Sequence, residues 1–402
     1  MKREFWAEFD LVGALSDDQR QNRSILEGWF STNGPSQERW SQISDPAARR
    51  QLLAQLLVTE SECNRRTKCK DYAKEQLIKW YYADDLKHPR GDFQEFLCQR
   101  LRWMGSILGL TDYHNTLSPS LPDLSAFPSG SWAVSLTFTL RKPYISKDDT
   151  EFYILDNPVK REWVFKVPYV APSQWKGTLR AAMIRMLIEN LFSGELKENE
   201  FIQERLQLYR LFGNEKDGTA EFLNRALALK RVGPKPDNGN EDEIKRWEER
   251  FKKEIKQVER EFDEYLREKK YRIGDIEGFS GCLHFYPTFF DRIGLEVINP
   301  HPRDTGAGKN PIYFECVPAG TPGVFTLLYV PLDAGPKDEN TVKADLAAVD
   351  RGIRAMLTKY GFGAKTSSGY GVADVEENGV KIQANGVADA REVFWNGWKE
   401  EN

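Results

Sequence analysis

GFGAKTSSGYG, residues 361–371, is the stretch on which the reading of the fold turns. Four glycines, one lysine and three hydroxyl residues follow a helical pattern that runs from about residue 342 to 360. Directly after them Val372-Ala373-Asp374-Val375 reads as a strand. Glycines allow positive φ and close backbone approach. Successive free N–H groups in such a loop form a concavity for an anion. Lys365 adds a point charge suited to a phosphate. A P-loop needs Gly-Lys-Ser/Thr opening a helix after a strand; here the helix comes first. Two readings stand: a phosphate-contacting loop that carries little core, or a glycine-rich helix-to-strand turn with no ligand.

Working outward from that loop, the periods of the chain alternate. Trp132, Val134, Leu136, Phe138 and Leu140 recur at every second position, which predicts a half-buried strand. Residues 142–168 show no period and read as a long excursion. Residues 176–191 are helical, and strands return at 283–286, 294–298, 312–317 and 324–330. Outside its insertions the chain therefore runs strand, helix, strands, helix, strand. That is an α+β fold with a ferredoxin-like (RRM-like) βαββαβ core, expected over residues 126–376 with a tail at 377–402. A charged helical insertion occupies about 194–278. In it Ile244, Trp247, Phe251, Ile255, Val258, Phe262 and Tyr265 repeat at three and four. That stripe packs on the same chain or binds a partner.

Residues 1–125 read as helical. Asp45-Pro46 starts one helix, with Leu52, Leu53, Leu56 and Leu57 on a stripe. Tyr72, Leu77, Ile78 and Tyr81 mark a second, and Phe93, Phe96, Leu97, Leu101, Met104 and Leu108 a third. Residues 118–130, with three prolines and several serines, are the linker candidate.

With 402 residues, 29% charged and 40% hydrophobic, the chain has the composition of a globular protein. No apolar run is long enough to span a membrane and no signal-peptide core opens the sequence. Five scattered cysteines without CxxC spacing, and four histidines, argue against a disulfide scaffold or a zinc site. A reduced, cytoplasmic protein is expected. The net charge of −4 hides a gradient. Residues 141–185 hold nine Lys/Arg against five Asp/Glu, while residues 374–402 hold seven acids against three bases. Local fields steer a polyanion more than the total does.

Several segments carry chemistry. Ser173 is placed to cap a helix whose first N–H groups favour a phosphate. Lys176 and Arg180, four apart, share a face suited to an RNA backbone or simply to solvent. Asp156, in Leu155-Asp156-Asn157-Pro158-Val159, is either a turn residue or a carboxylate free to reach a ligand. Between two strands, 299–310 holds His301, Arg303, Asp304, Gly306, Gly308 and Lys309 and reads as a polar hairpin. Trp163, Phe165, Tyr169 and Trp175 are stacking candidates, most of them expected in the core.

Taken together, LDNPVKREWVFKVPYVAPSQWKGTLRAAM (155–183), GCLHFYPTFFDRIGLEVINPHPRDTGAGKNPIYFECVPAG (281–320) and the glycine loop resemble the RAMP family. These are the ferredoxin-like subunits of type III CRISPR effector complexes. The family's Pro-Tyr-Ile-Pro-Gly-Ser-Ser-Leu-Lys-Gly turn looks like Pro168-Tyr169-Val170-Ala171-Pro172-Ser173-Gln174-Trp175-Lys176-Gly177 here, with Gly-Ser-Ser replaced by Pro172-Ser173-Gln174. Asn299-Pro300-His301 and the loop look most like the subgroup capping the end distal to the guide's 5′ handle. The resemblance implies an RNA-binding subunit of an antiviral ribonucleoprotein that holds guide RNA and the guide–target duplex. Its partners would be guide (CRISPR) RNA, target RNA, other RAMP subunits and a polymerase-like large subunit. RNA contacts would fall at Ser173, Lys176, Arg180, His301, Arg303, Lys309, Gly363, Lys365, Thr366, Ser367, Ser368, Gly369 and Tyr370. In cutting subunits an aspartate in the context of Asp156 is catalytic, working with Mg2+ or Mn2+. A protein scaffold without RNA contact is the alternative of another class.

Overall fold

The computed structural model describes residues 20–22, 92–113, 116–118, 120–147, 157–214, 218–237, 240–271, 280–299, 312–331 and 338–399. The helical patterns expected around residues 45–57 and 72–81 lie outside them. So do Asp156, His301, Arg303 and Lys309.

Helix α1 (Asp92–Leu108) sends Leu97, Leu101 and Met104 into the main core. A short hairpin of β1 (Thr111–Tyr113) and β2 (Thr116–Ser118) follows. The alternation in WAVSLTFTL forms β3 (Trp132–Leu140), whose Trp132, Val134, Leu136, Phe138 and Leu140 all enter the main core. The chain continues through β4 (Tyr169–Val170), α2 (Pro172–Ser193), α3 (Glu198–Phe212), α4 (Thr219–Val232) and α5 (Glu241–Glu268). Then come β5 (Leu283–Phe285), β6 (Thr288–Phe289), β7 (Gly294–Ile298), β8 (Ile312–Cys316) and β9 (Pro322–Tyr329). Helix α6 (Glu339–Arg354), β10 (Ala373–Ala384) and α7 (Ala390–Lys399) complete it.

The main sheet has the order β10-β3-β9-β5, with every neighbouring pair antiparallel. With α2 after β3 and α6 after β9, this is the ferredoxin-like βαββαβ topology. Gly323 sits opposite Phe138 in the β3–β9 register. A Cβ at Gly323 would lie 2.4 Å from the Phe138 ring, so the glycine makes room for that bulky side chain.

Three features differ from the sequence reading. Of the expected strands, 294–298 and 312–317 pair with each other as a separate β7–β8 ribbon outside the main sheet. Periodicity cannot show which partner a strand takes. Strand β10 runs past residue 376 to Ala384, with a register shift between Val375 and Val380 that breaks the alternation. The linker candidate is packed: Leu124 is buried with Ala133, Leu328 and Val330, and Asn385 Nδ2 donates to the Leu124 and Phe127 carbonyls. Leu121, Leu124 and Phe127 cover the sheet face away from the main core.

The insertion packs on its own chain. Val258, Phe262 and Leu266 of α5 are buried, and Phe251 and Ile255 lean on the main core. Arg231 of α4 gathers Glu198, Glu254 and Glu261. Asp345 of α6, fully buried, ties the insertion down. It accepts from Gln207 Nε2 and Arg210 Nε of α3 and from the Tyr329 hydroxyl, each at 2.9 Å.

Candidate nucleic-acid interface

The first site segment is the start of α2. Ala171 occupies the N-cap position without a side-chain bond, and Pro172 takes the first helical position, where its missing N–H costs nothing. Ser173 is therefore inside the helix, exposed, and does not cap it as its type suggested. Trp175, Leu179, Ala182 and Met183 form the buried face. Lys176 and Arg180 each follow a buried residue by one position, so they lie at the margin of that face, half-buried. The charge of Lys176 reaches β5. The imidazole of His284 titrates below 6.5, first because it is partly desolvated and second because Lys176 repels its proton.

Trp175 anchors this end of the helix. Its Nε1 donates to Thr288 Oγ1 at 3.0 Å, and that hydroxyl donates to the Val324 carbonyl at 2.6 Å. Its ring lies 4.6 Å from the Phe362 ring, and Phe362 lies 5.4 Å from Tyr144. The Tyr144 hydroxyl, pushed up to about 12 by burial, donates to Gln174 Oε1 at 3.0 Å. One aromatic floor thus supports both the α2 start and the glycine loop.

That loop is less free than its composition suggests. Phe362 is fully buried, so the expectation that the loop carries little core is corrected. Helix α6 passes into a wider π-turn, Ala355–Tyr360, closed by Gly361 N–H donating to the Met356 carbonyl. The amides of Phe362, Ala364 and Gly371 donate to the carbonyls of Gly371, Ile145 and Pro143. Gly371 has φ +70, and a Cβ there would fall 1.9 Å from the Phe362 oxygen. Gly369, at φ +84, has open space around its Cβ position. The turn reading fits three of the four glycines. Gly361, Gly363 and Gly371 are fixed by packing, while the exposed crest from Lys365 to Gly369 is not. On that crest the amides of Lys365, Thr366 and Ser367 donate to no backbone carbonyl among the described residues.

The β7–β8 ribbon closes on the loop. The Tyr370 hydroxyl donates to Glu296 Oε1 at 3.0 Å, and the Lys365 ammonium lies 5.0 Å from the centre of the Phe314 ring. Residue types alone gave no signal for Glu296 or Phe314, because both belong to strands assigned only by period. The same ribbon holds the start of the 157–168 loop. Asn157 bridges to Phe314, and its carbonyl accepts from Glu315 N–H at 2.9 Å. Glu315, fully buried, accepts from Val159 N–H at 3.1 Å and pairs with buried Arg161. The neighbouring Cys316 thiol is pushed up to about 12 by burial and by Glu296 and Glu315, so it stays protonated and is no nucleophile. Among the described residues no three His, Cys, Asp or Glu side chains gather as a metal site. No helix among them is long and apolar enough to cross a membrane.

Comparison with curated proteins gives no match. Among solved structures, a cryo-EM structure of the type III-B Cmr-beta bound to cognate target RNA is 14% identical with a TM-score of 0.41. The match covers 95% of this chain and 95% of that one. Crystalline Cmr6 from Pyrococcus furiosus is 17% identical with a TM-score of 0.28, covering 61% of this chain and 99% of its own. The sequence model of the RAMP superfamily matches residues 103–374, which takes in most of the sheet, the insertion and the glycine loop: this chain belongs to the RAMP superfamily.

Proposed function

We propose that the chain is an RNA-binding subunit of a type III CRISPR ribonucleoprotein. It holds guide RNA and the guide–target duplex through the α2 start and the crest of the glycine loop. The observation that carries this reading is the shared aromatic floor. Two RAMP-type segments far apart in sequence meet over Trp175, Phe362 and Tyr144. One brings Lys176 and Arg180 at a helix N-terminus, and the other brings Lys365 with crest amides that donate to no backbone carbonyl among the described residues. Such groups contact phosphates without reading bases, and base pairing supplies the sequence information. Guide RNA, target RNA, other RAMP subunits and a polymerase-like large subunit are the partners in this proposal. Its test is RNA affinity across a salt series for several unrelated sequences. Equal affinities with a steep salt dependence support it, and salt-independent or absent binding refutes it.

A second reading rests on the anchored loop. The bonds of Asn157 and Val159 to β8 hold the chain at the residue after Asp156. In this reading Asp156 would hold Mg2+ or Mn2+ for target-RNA cleavage at a ribose 2′-OH.

A further inference from the structure

The insertion helix α5 distributes its charges unevenly. Three of its acids are engaged by cations of the same chain, Glu254 and Glu261 by Arg231 and Glu248 by Lys235, each at 2.8 Å, and its exposed acids gather toward the two ends, at Glu241, Asp242, Glu243, Glu264 and Glu268. Its apolar stripe is turned inward, with Phe251, Ile255 and Val258 packed on the core. What remains outside between residues 245 and 260 is basic. Lys245, Arg246, Arg250, Lys252, Lys253, Lys256 and Arg260 are exposed, against only Glu249 and Glu259. Among the described residues none of these seven bases forms an ion pair with a carboxylate. Arg260 bonds only Gln257 and the Lys256 carbonyl.

A merely solvated helix face gains from opposite charges three and four residues apart. Acids do lie at that spacing, Glu249 from Lys245, Lys252 and Lys253 and Glu259 from Lys256, yet among the described residues none of them closes an ion pair with these bases, and Arg246 and Arg250, Lys252 and Lys256, and Lys256 and Arg260 are like-charged at the same spacing. The chain as a whole is acidic, with a net charge of −4, so general composition does not account for the stripe. It runs about 22 Å along the helix, enough to follow several phosphates. A protein partner would call for aromatic and apolar groups and few lysines. Four of the seven bases are lysines and no apolar side chain among residues 245–260 is exposed.

We propose that the outer face of α5 is a second RNA-binding surface that tracks the phosphodiester backbone regardless of sequence. It is separate from the contacts proposed at α2 and the glycine loop. The test uses the full chain and a 5′-fluorescein single-stranded RNA of about 30 nucleotides, read by anisotropy from low to moderate salt. The Arg250→Glu/Lys253→Glu/Lys256→Glu variant should weaken binding at least roughly tenfold at low salt. It should also flatten the slope of log affinity against log salt by about 2, at about 0.7 for each single-strand phosphate no longer neutralised. A Lys176→Ala/Arg180→Ala/Lys365→Ala variant should weaken binding separately, and the two effects should add. If only the second variant weakens binding, the α5 surface is refuted and the first interface stands; if only the first does, the reverse holds. Retained RNA affinity together with loss of binding to a polyglutamate probe would also overturn the proposal, in favour of an acidic protein partner. Should the triple glutamate variant unfold by circular dichroism, the triple glutamine variant is read by the same criteria.

Discussion

Replacing Gly371 by alanine separates a structural glycine from a functional one. The residue sits at φ +70, where a Cβ costs about 1–2 kcal/mol. That Cβ would lie 1.9 Å from the Phe362 carbonyl oxygen, so Phe362 must move. Its ring packs on Trp175 at 4.6 Å and on Phe138 at 5.7 Å, and its amide donates to the Gly371 carbonyl at 3.0 Å. Forcing a filled core to shift costs about 1–3 kcal/mol, and breaking a hydrogen bond about 1 kcal/mol. Gly371→Ala should therefore destabilise the fold by about 3–6 kcal/mol. Gly369→Ala, at φ +84 with open space, should cost only about 1–2 kcal/mol. The assay is urea unfolding followed by tryptophan fluorescence. Equal destabilisation in the two variants would show that the Phe362 clash does not govern the difference. A Gly371→Ala protein of unchanged stability would dismiss the packed-loop explanation altogether.

The remaining predictions address the charges. Arg161→Met strands the buried Glu315 carboxylate and should cost about 3–5 kcal/mol, while Arg161→Met/Glu315→Leu should recover most of it, by the same unfolding assay. Lys176→Ala/Arg180→Ala should lower affinity equally for all RNA sequences and flatten the salt slope by roughly one per phosphate no longer bound. Lys176→Ala should also raise the His284 pKa in an NMR titration without restoring it to 6.5, since burial is the larger cause. On the reading in which this subunit cuts, Asp156→Ala in the assembled complex should abolish one target cleavage position while guide and target binding persist. An unaltered product ladder on a denaturing gel would make Asp156 a turn residue.

Much of the core was legible because period and burial coincide in it. The alternation from Trp132 to Leu140 reads as a strand because one face meets the helices, and Ile255 to Phe262 reads as a packed helix for the same reason. Partner choice was not legible. Nothing in the residues at 294–298 and 312–316 says that they pair with each other rather than join the main sheet. At the site, residue types pointed to the lysines and the crest. They gave no sign of Phe314, Glu296 or the Glu315–Arg161 pair, whose roles arise only from tertiary neighbours. Ser173 failed as a cap because Pro172, one residue earlier, is better suited to open the helix. The polar loop linking 118 to 130 hid a packed turn because its burial rests on one leucine and on Asn385 from the far end of the sheet.

RNA placement on the chain is tested most directly by ultraviolet crosslinking of the full chain to guide RNA, with the crosslinked peptides identified by mass spectrometry. Crosslinks are expected within residues 172–180 and 361–371, unchanged when the guide sequence is changed and abolished at high salt. Crosslinks absent from both segments, with RNA nonetheless bound elsewhere on the chain, would overturn the proposed interface.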